Sequence, residues 1–195
     1  MKLLAPLARP GKILCVGLNY RDHAAESNMA IPDSPTVFSK YSNTIIGPGD
    51  AIQIPRLTDQ VDYEAELAFV IGRTARHVPE SRALDYIAGY VPFNDVSARD
   101  YQMRTSQWTL GKTFDTFGPL GPALVTADEV PDPGALDISL TLEGEVLQQS
   151  NTRHLIFSIP FLLSYLSGVM TLKPGDLVST GTPAGWALPA SQCCV

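Results

Sequence analysis

The hydrophobic and polar positions of residues 61–72 (VDYEAELAFVIG) alternate in a way that gathers acidic side chains on one side. The stretch is rich in β-branched and aromatic residues and lacks proline, which predicts a β-strand whose alternate side chains share a face. One face is apolar throughout, and the other carries three carboxylates followed by two apolar residues: Asp62, Glu64, Glu66, Ala68 and Val70. An edge strand with a solvated acidic face is one interpretation. The apolar continuation favours another, a covered cluster of carboxylates, and such a cluster needs a cation.

Short apolar runs separated by turns continue along the chain. They predict further strands at six places: residues 13–18, 36–40, 51–55, 89–94, 120–126 and 177–180. Residues 137–142 and 145–149 flank a Glu-Gly turn signal and predict a hairpin. Ser158 followed by Pro160 predicts a helix that ends near Gly168. The predicted fold class is α+β and strand-dominant, an irregular roll or barrel with two or three short helices.

Asp95 follows the predicted strand 89–94 and opens a long irregular stretch, residues 95–113. Irregular stretches of this length in a compact domain are more often functional than idle. Together with Glu64 and Glu66, Asp95 completes an oxygen-only set that favours Mg²⁺, Mn²⁺ or Ca²⁺ and leaves positions for substrate oxygens. The other interpretation, an ordinary turn residue at a strand end, is equally open.

Polar residues of the irregular stretch supply candidate substrate contacts. Arg99 can clamp a carboxylate with two hydrogen bonds, Gln102 can hydrogen-bond a carbonyl group, and Lys112 can stabilise an oxyanion. Taken singly, each is also typical of a solvated loop residue.

His23 and Glu26 stand three residues apart in a short predicted helix that Asp22 begins as its N-cap. This spacing has the form of a general base oriented by a carboxylate, although an exposed surface pair is the other interpretation. Thr182 lies in a Gly-Thr-Pro turn, where its hydroxyl or backbone N–H can contact a ligand. An ordinary turn is an equal alternative.

Composition narrows the class of protein. The 195 residues are 45% hydrophobic and 17% charged, which predicts a globular domain with a real core. Fourteen basic against 20 acidic residues give a net charge of −6, which argues against nucleic-acid binding but not against small anionic substrates. Three cysteines do not suggest a disulfide framework, residues 1–12 are too short and too interrupted by proline to suggest a signal peptide, and residues 155–170 are too short to span a bilayer. We therefore expect a cytoplasmic protein without membrane partners.

Six segments occur in the order found in one enzyme family: GLNYRDHAAE, FSK, VDYEAELAFVIG, NDVSARDYQ, LGKTFDTFGPLGP and STGTPAG. On these motifs the chain resembles the fumarylacetoacetate hydrolase family. The nearest branch is that of domain-containing protein 2 and 2-hydroxyhepta-2,4-diene-1,7-dioate isomerase. The resemblance runs from residue 4 to residue 185, nearly the whole chain. It implies a mixed β-roll with short helices and a homodimer.

The resemblance also implies roles for individual residues. The E-x-E pair and the Asp of the family's D-x-S/T-A-R-D motif hold Mg²⁺ or Mn²⁺, which here implies a metal site at Glu64, Glu66 and Asp95. Catalysis is implied for His23, Glu26 and Lys112. Substrate binding is implied for Arg99, Gln102 and Thr182. The expected substrate is a small anionic 2-oxo or 1,3-dicarbonyl acid. Family members hydrolyse, decarboxylate, tautomerise or isomerise such acids through an enolate, and the sequence does not separate these reactions.

The C-terminal end departs from the family pattern. We expect residues 1–185 to form an incomplete catalytic domain and residues 186–195 (WALPASQCCV) to be an aberrant tail outside the native fold. The strand at 177–180 is then expected to have an unpaired edge where a hairpin is missing. A rival interpretation is a catalytically inactive, truncated paralogue that retains only metal binding or dimerisation.

Overall fold

The structure, a computed structural model, describes residues 2–185. The tail predicted at residues 186–195 lies outside the described residues, so its exclusion from the fold stays a prediction. The strands are β1 Ile13–Gly17, β2 Thr36–Lys40, β3 Ile45–Ile46, β4 Val61–Asp62, β5 Ala65–Ile71, β6 Ile87–Asn94, β7 Ser97–Ala98, β8 Gly118–Pro119, β9 Val125–Thr126, β10 Asp137–Leu142, β11 Glu145–Asn151 and β12 Leu177–Ser179. The α-helices are α1 Arg21–Glu26, α2 Arg99–Gln102, α3 Thr109–Lys112 and α4 Ile159–Val169. Single 3₁₀ segments cover Ser42–Thr44, Glu80–Tyr86, Ala127–Glu129 and Thr152–His154.

A six-stranded sheet in the order β2-β1-β12-β5-β6-β9 organises the molecule. β1 and β12 run parallel, and the other neighbours are antiparallel. β12 is thus paired on both sides, and the unpaired edge predicted for residues 177–180 is wrong. The reason is that Leu177 pairs with Ile13 on one side and with Val70 on the other. A short apolar strand of this kind suits the middle of a sheet that is buried on both faces.

The two faces of this sheet differ in chemistry. One face packs under α4 through a cluster that includes Leu14, Phe69, Ile71, Tyr90, Leu163 and Val178. The opposite face carries the apolar residues Ile13, Cys15, Ala68, Val70, Val91 and Leu177. Because side chains alternate along a strand, Glu66 lies on this second face, two residues before Ala68. The acidic residues therefore lie at the start of β5.

The strand-dominant α+β fold class is confirmed, with helices that are few and short. The hairpin of β10 and β11 and the helix α4 also form as predicted, and the Ser158 side chain accepts a hydrogen bond from the Phe161 N–H at the start of α4. Among the described residues, no helix is long and apolar enough to cross a membrane.

Four local predictions are wrong. The strand predicted at residues 120–126 is reduced to β9 and an isolated bridge between Leu120 and Phe93. The stretch 61–72 is not one strand, because β4 leaves the main sheet to pair with β7 and two residues separate it from β5. Residues 51–55 form no strand, since they pair with no neighbouring strand of the described residues and stay largely exposed. Asp22 does not cap α1: Tyr20 holds the cap position, and Asp22 accepts hydrogen bonds from the His23 N–H and the Ser150 hydroxyl instead.

Candidate active site

Three carboxylates meet where β5 begins and β6 ends. Oxygen atoms of Glu64, Glu66 and Asp95 lie within 4.8 Å of one another, and all three residues are buried. The strand register holds them together. The Asp95 N–H donates to the Glu64 carbonyl at 2.9 Å, and the Glu64 N–H donates to Asn94 Oδ1 at 2.9 Å. The structure thus brings together the residues that the sequence predicts as ligands, while the ligand role itself stays a prediction.

Two buried lysines contact this cluster. Lys112 Nζ, at the end of α3, donates to Glu64 Oε2 at 2.7 Å and to Asp95 Oδ2 at 2.9 Å. Burial alone would lower the pKa of Lys112, but attraction to Asp95 and Glu64 outweighs it and raises that pKa. Lys40 Nζ, at the end of β2, donates to Asp95 Oδ1 at 2.6 Å and to the Val96 carbonyl at 2.9 Å. Burial lowers the pKa of Lys40.

Arg99 closes the cluster from the start of α2. Its Nη1 donates to Glu64 Oε1 at 2.5 Å and to Gln102 Oε1 at 2.8 Å, while its Nε donates to Asp62 Oδ2 at 2.7 Å. Burial would raise the pKa of Glu64, but Lys112 and Arg99 together lower it to about 2. Arg99 and Gln102 therefore lie side by side beside the acidic centre, and their predicted substrate roles stay predictions.

Carboxyl groups outnumber cationic side chains in this buried cluster. Within residues 2–185 the cluster has more carboxylates (Asp62, Glu64, Glu66 and Asp95) than cationic side chains (Lys40, Arg99 and Lys112). Glu66 is held by neutral donors, the Ser179 hydroxyl and the Gly181 N–H at 3.0 Å. Burial, and then repulsion from Asp95 and Glu64, raises the pKa of Glu66 well above its ordinary value. A divalent cation held by these oxygens would favour the ionised form of Glu66, so the donor set fits a hard ion such as Mg²⁺.

His23 lies in α1, with its Nδ1 atom 3.2 Å from the backbone oxygen of Thr182. Because a carbonyl group only accepts, Nδ1 donates in this contact and Nε2 becomes the ring atom that can take a proton. The Glu26 carboxylate accepts from the Gly185 N–H at 3.1 and 3.2 Å. Thr182 therefore positions the ring through Nδ1, and the predicted orientation of His23 by Glu26 stays a prediction.

Thr182 braces the turn that follows β12. Its hydroxyl donates to the Ala65 carbonyl at 3.0 Å and accepts from Gln148 Nε2 at 2.9 Å. The hydroxyl therefore ties the turn to β5 between the two glutamates, and its predicted contact with substrate stays a prediction.

A family model described as "Fumarylacetoacetate (FAA) hydrolase C-terminal" matches residues 12–194, which is nearly the whole chain. The chain belongs to the fumarylacetoacetate hydrolase family. This membership confirms the resemblance carried by the six sequence segments.

Curated relatives are longer than this chain. A fumarylacetoacetate hydrolase domain-containing protein 2 homolog of Dictyostelium discoideum is 54% identical over 194 residues, which cover 94% of this chain and 63% of that protein. A rat protein named oxaloacetate tautomerase Fahd2a, mitochondrial, is 50% identical over 93% of this chain and 58% of its own length. The chain thus spans about three fifths of the curated relatives it matches. The cytoplasmic location expected from the sequence stays a prediction.

Solved structures of the family share this fold. A 5-carboxymethyl-2-hydroxymuconate delta-isomerase from Mycobacterium smegmatis superposes with a TM-score of 0.87 at 44% identity, over 96% of this chain and 73% of that chain. A 2-hydroxyhepta-2,4-diene-1,7-dioate isomerase from Mycobacterium marinum gives 0.85 at 41% identity, over 95% and 68%.

Three buried residues of this family site received no role from the sequence. Lys40 forms an ion pair with Asp95. The one sequence feature that could have indicated a role for Lys40 is its place in the segment FSK. Asn19 joins two turns, because its Nδ2 donates to the Thr180 carbonyl at 2.7 Å and to the Phe157 carbonyl at 3.1 Å. Gln148 joins the hairpin to β5, and nothing in its local sequence distinguishes it from its neighbour Gln149.

Proposed function

We propose that this chain carries the active site of a divalent-metal-dependent enzyme that acts on small 2-oxo or 1,3-dicarbonyl acids through an enolate. The observation that carries the proposal is the buried, convergent cluster of the Glu64, Glu66 and Asp95 carboxyl groups with the Lys112 ammonium beside it. Mg²⁺ is the first candidate, followed by Mn²⁺ and Ca²⁺, because all three donors are hard carboxylate oxygens. When bound, the ion supplies Lewis-acid stabilisation of negative charge on a substrate oxygen.

The chain's own side chains supply the rest of the chemistry. Lys112 stays protonated and donates hydrogen bonds to the substrate oxygen on which negative charge develops. Arg99, held by Asp62, binds the substrate carboxylate together with Gln102. These contacts hold the anionic head of the acid and leave its far end to project away from the cluster.

His23 moves the proton on the carbon next to the 2-oxo group. The contact of its Nδ1 with the Thr182 oxygen makes Nε2 the basic atom. Glu26 contributes by anchoring the end of α1 to the Gly185 N–H. A proton donor or acceptor beside a stabilised enolate is sufficient for tautomerisation or isomerisation.

The names of the relatives include hydrolases, such as the "putative hydrolase" of Burkholderia ambifaria, as well as proteins named for proton-transfer reactions. Rat and Xenopus laevis relatives, 50% and 49% identical, are named oxaloacetate tautomerases, and two similar solved structures are named isomerases. Keto–enol conversion of oxaloacetate is therefore the first activity to measure, and acylpyruvate hydrolysis is the second. We expect the active form to be a homodimer, as the resemblance implies.

The test follows the ultraviolet absorbance of enol-oxaloacetate, and separately of acetylpyruvate, with the purified chain in Mg²⁺ or in EDTA. We expect turnover that EDTA removes, that Mg²⁺ restores, and that Glu66→Gln abolishes. Glu145→Gln, which changes an exposed glutamate of β11, is the matched control and should keep full activity. Turnover that survives both EDTA and Glu66→Gln, or no turnover of either acid, would overturn the proposal.

A further inference from the structure

Two aromatic side chains stand beside the acidic cluster without taking part in its hydrogen bonds. Phe38 lies on β2 and Trp108 immediately precedes α3, and their rings meet edge to face with centroids 5.4 Å apart. The Lys112 ammonium lies 5.0 Å from the centre of the Phe38 ring, while it donates to the Glu64 and Asp95 carboxylates at 2.7 and 2.9 Å. The aromatic pair therefore borders the same ammonium that the proposed mechanism uses.

Gly17 makes the room that Trp108 occupies. A Cβ atom at Gly17 would lie 2.3 Å from Cζ3 and 2.7 Å from Cη2 of the Trp108 indole, far inside van der Waals contact. The backbone of Gly17 is not in the left-handed region, so glycine is required there for space and not for conformation. The position of the indole is thus defined by the end of β1.

Both rings are only half-buried, whereas Lys112 is 1% exposed. The Phe38 ring lies next to the buried ammonium, and the Trp108 ring packs against Phe38. Both partly exposed rings are therefore within reach of a substituent on an acid whose charged head is bound at Arg99 and Lys112.

We infer that Phe38 and Trp108 form an apolar wall for the far end of the substrate, and that Trp108 limits the length of the substituent accepted there. This inference rests on the proposed function and deepens it to a preference for short-chain 2-oxo acids. Trp108 is a specificity-determining residue in this account. One methylene group in an apolar pocket changes kcat/KM by about 10- to 200-fold, so an indole can exclude an extended alkyl chain.

The test compares acetylpyruvate with hexanoylpyruvate, which share the dioxo acid head and differ only in the length of an apolar tail. The Mg²⁺-loaded chain is measured as wild type, Trp108→Ala, Trp108→Phe and Phe161→Ala. Phe161 is the matched control, a half-buried aromatic residue of α4 on the opposite side of the sheet. The readout is the ratio of kcat/KM for hexanoylpyruvate to kcat/KM for acetylpyruvate. A general loss of folded enzyme lowers both values equally and leaves this ratio unchanged.

We expect Trp108→Ala to raise this ratio about tenfold or more, Trp108→Phe to raise it less, and Phe161→Ala to leave it unchanged. If Trp108→Ala does not fold, the ratio measured for Trp108→Phe decides. Turnover of acetylpyruvate with an unchanged ratio in the folded Trp108 variants overturns the inference and leaves the proposed function standing. A wild-type chain that turns over no member of the class, oxaloacetate included, overturns both.

Discussion

Replacing Gln148 by leucine should destabilise the protein strongly, because this side chain joins three parts of the site. Gln148 is 1% exposed. Its Oε1 accepts from the Ala65 N–H at 2.8 Å, and its Nε2 donates to Thr182 Oγ1 at 2.9 Å and to the Pro183 carbonyl at 3.1 Å. Leucine fills a similar volume but leaves the Ala65 N–H and the Pro183 carbonyl without these partners.

The expected magnitude follows from those two backbone groups. Each buried group left without a partner costs about 1–3 kcal/mol, so the free energy of unfolding should fall by about 4 kcal/mol. That is a large part of a typical total of about 5–15 kcal/mol. For a chain of this size the thermal midpoint should fall by roughly 8–16 °C.

The matched control is Gln149→Leu, at the exposed glutamine that follows in β11. Its unfolding free energy should change by less than about 0.5 kcal/mol. Both variants are compared with wild type by urea and thermal denaturation, followed by circular dichroism in EDTA so that metal binding does not contribute. Equal midpoints for Gln148→Leu and Gln149→Leu would refute the argument that Gln148 holds the turn of Thr182 against β5.

Three further predictions test separate contacts. Gly181→Ala should lower the free energy of unfolding by more than about 1 kcal/mol in thermal denaturation, because φ is +94° and the new Cβ lies 2.9 Å from a backbone oxygen. Gly168→Ala, in the open last turn of α4, should cause no such loss. Lys40→Met should lower the free energy of unfolding of the metal-free protein by about 3–5 kcal/mol, since Asp95 loses a buried cation, and Mg²⁺ should then raise the thermal midpoint more than it does in wild type. A variant with the wild-type thermal midpoint in EDTA would contradict this. His23→Ala should lower turnover by about 10²–10⁴-fold with unchanged Mg²⁺ affinity in titration calorimetry; an unchanged rate would remove His23 from the mechanism.

The acidic side of residues 61–72 was predictable because alternation in a strand depends only on local sequence. That pattern put Glu64 and Glu66 on one side, and the structure keeps them there although the strand is interrupted before β5. The apolar residues that follow correctly indicated that the acidic side is covered.

Contacts made across the chain were not predictable in the same way. Lys40 and Asp95 are 55 residues apart, and Gln148 and Ala65 are 83 apart, so each pairing depends on the sheet order and not on neighbouring residues. The same reason explains the error about residues 177–180. A strand inserted between β1 and β5 has the same local sequence pattern as one at an edge.

His23 and Glu26 make contacts that local spacing does not reveal. Their i, i+3 spacing predicted a pair on one helical face, and the turn after β12 supplies backbone groups to both side chains. Each of these contacts joins residues that are 159 positions apart in the sequence. Asn19 also holds the same turn through the Thr180 carbonyl. Partners of this kind depend on the folded chain and could not be predicted from neighbouring residues.

The central claim, a divalent ion held by three buried carboxylates, is tested most directly by titration calorimetry of Mg²⁺ and Mn²⁺ into the metal-free chain. The account predicts one ion bound per chain, and loss of that binding in Glu66→Gln. This variant is suitable because Glu66 is held by neutral donors, so no cation is left without its partner. Glu145→Gln, at an exposed position, should bind as wild type does. Absence of binding in the wild-type chain, or the same affinity in Glu66→Gln, would contradict the account.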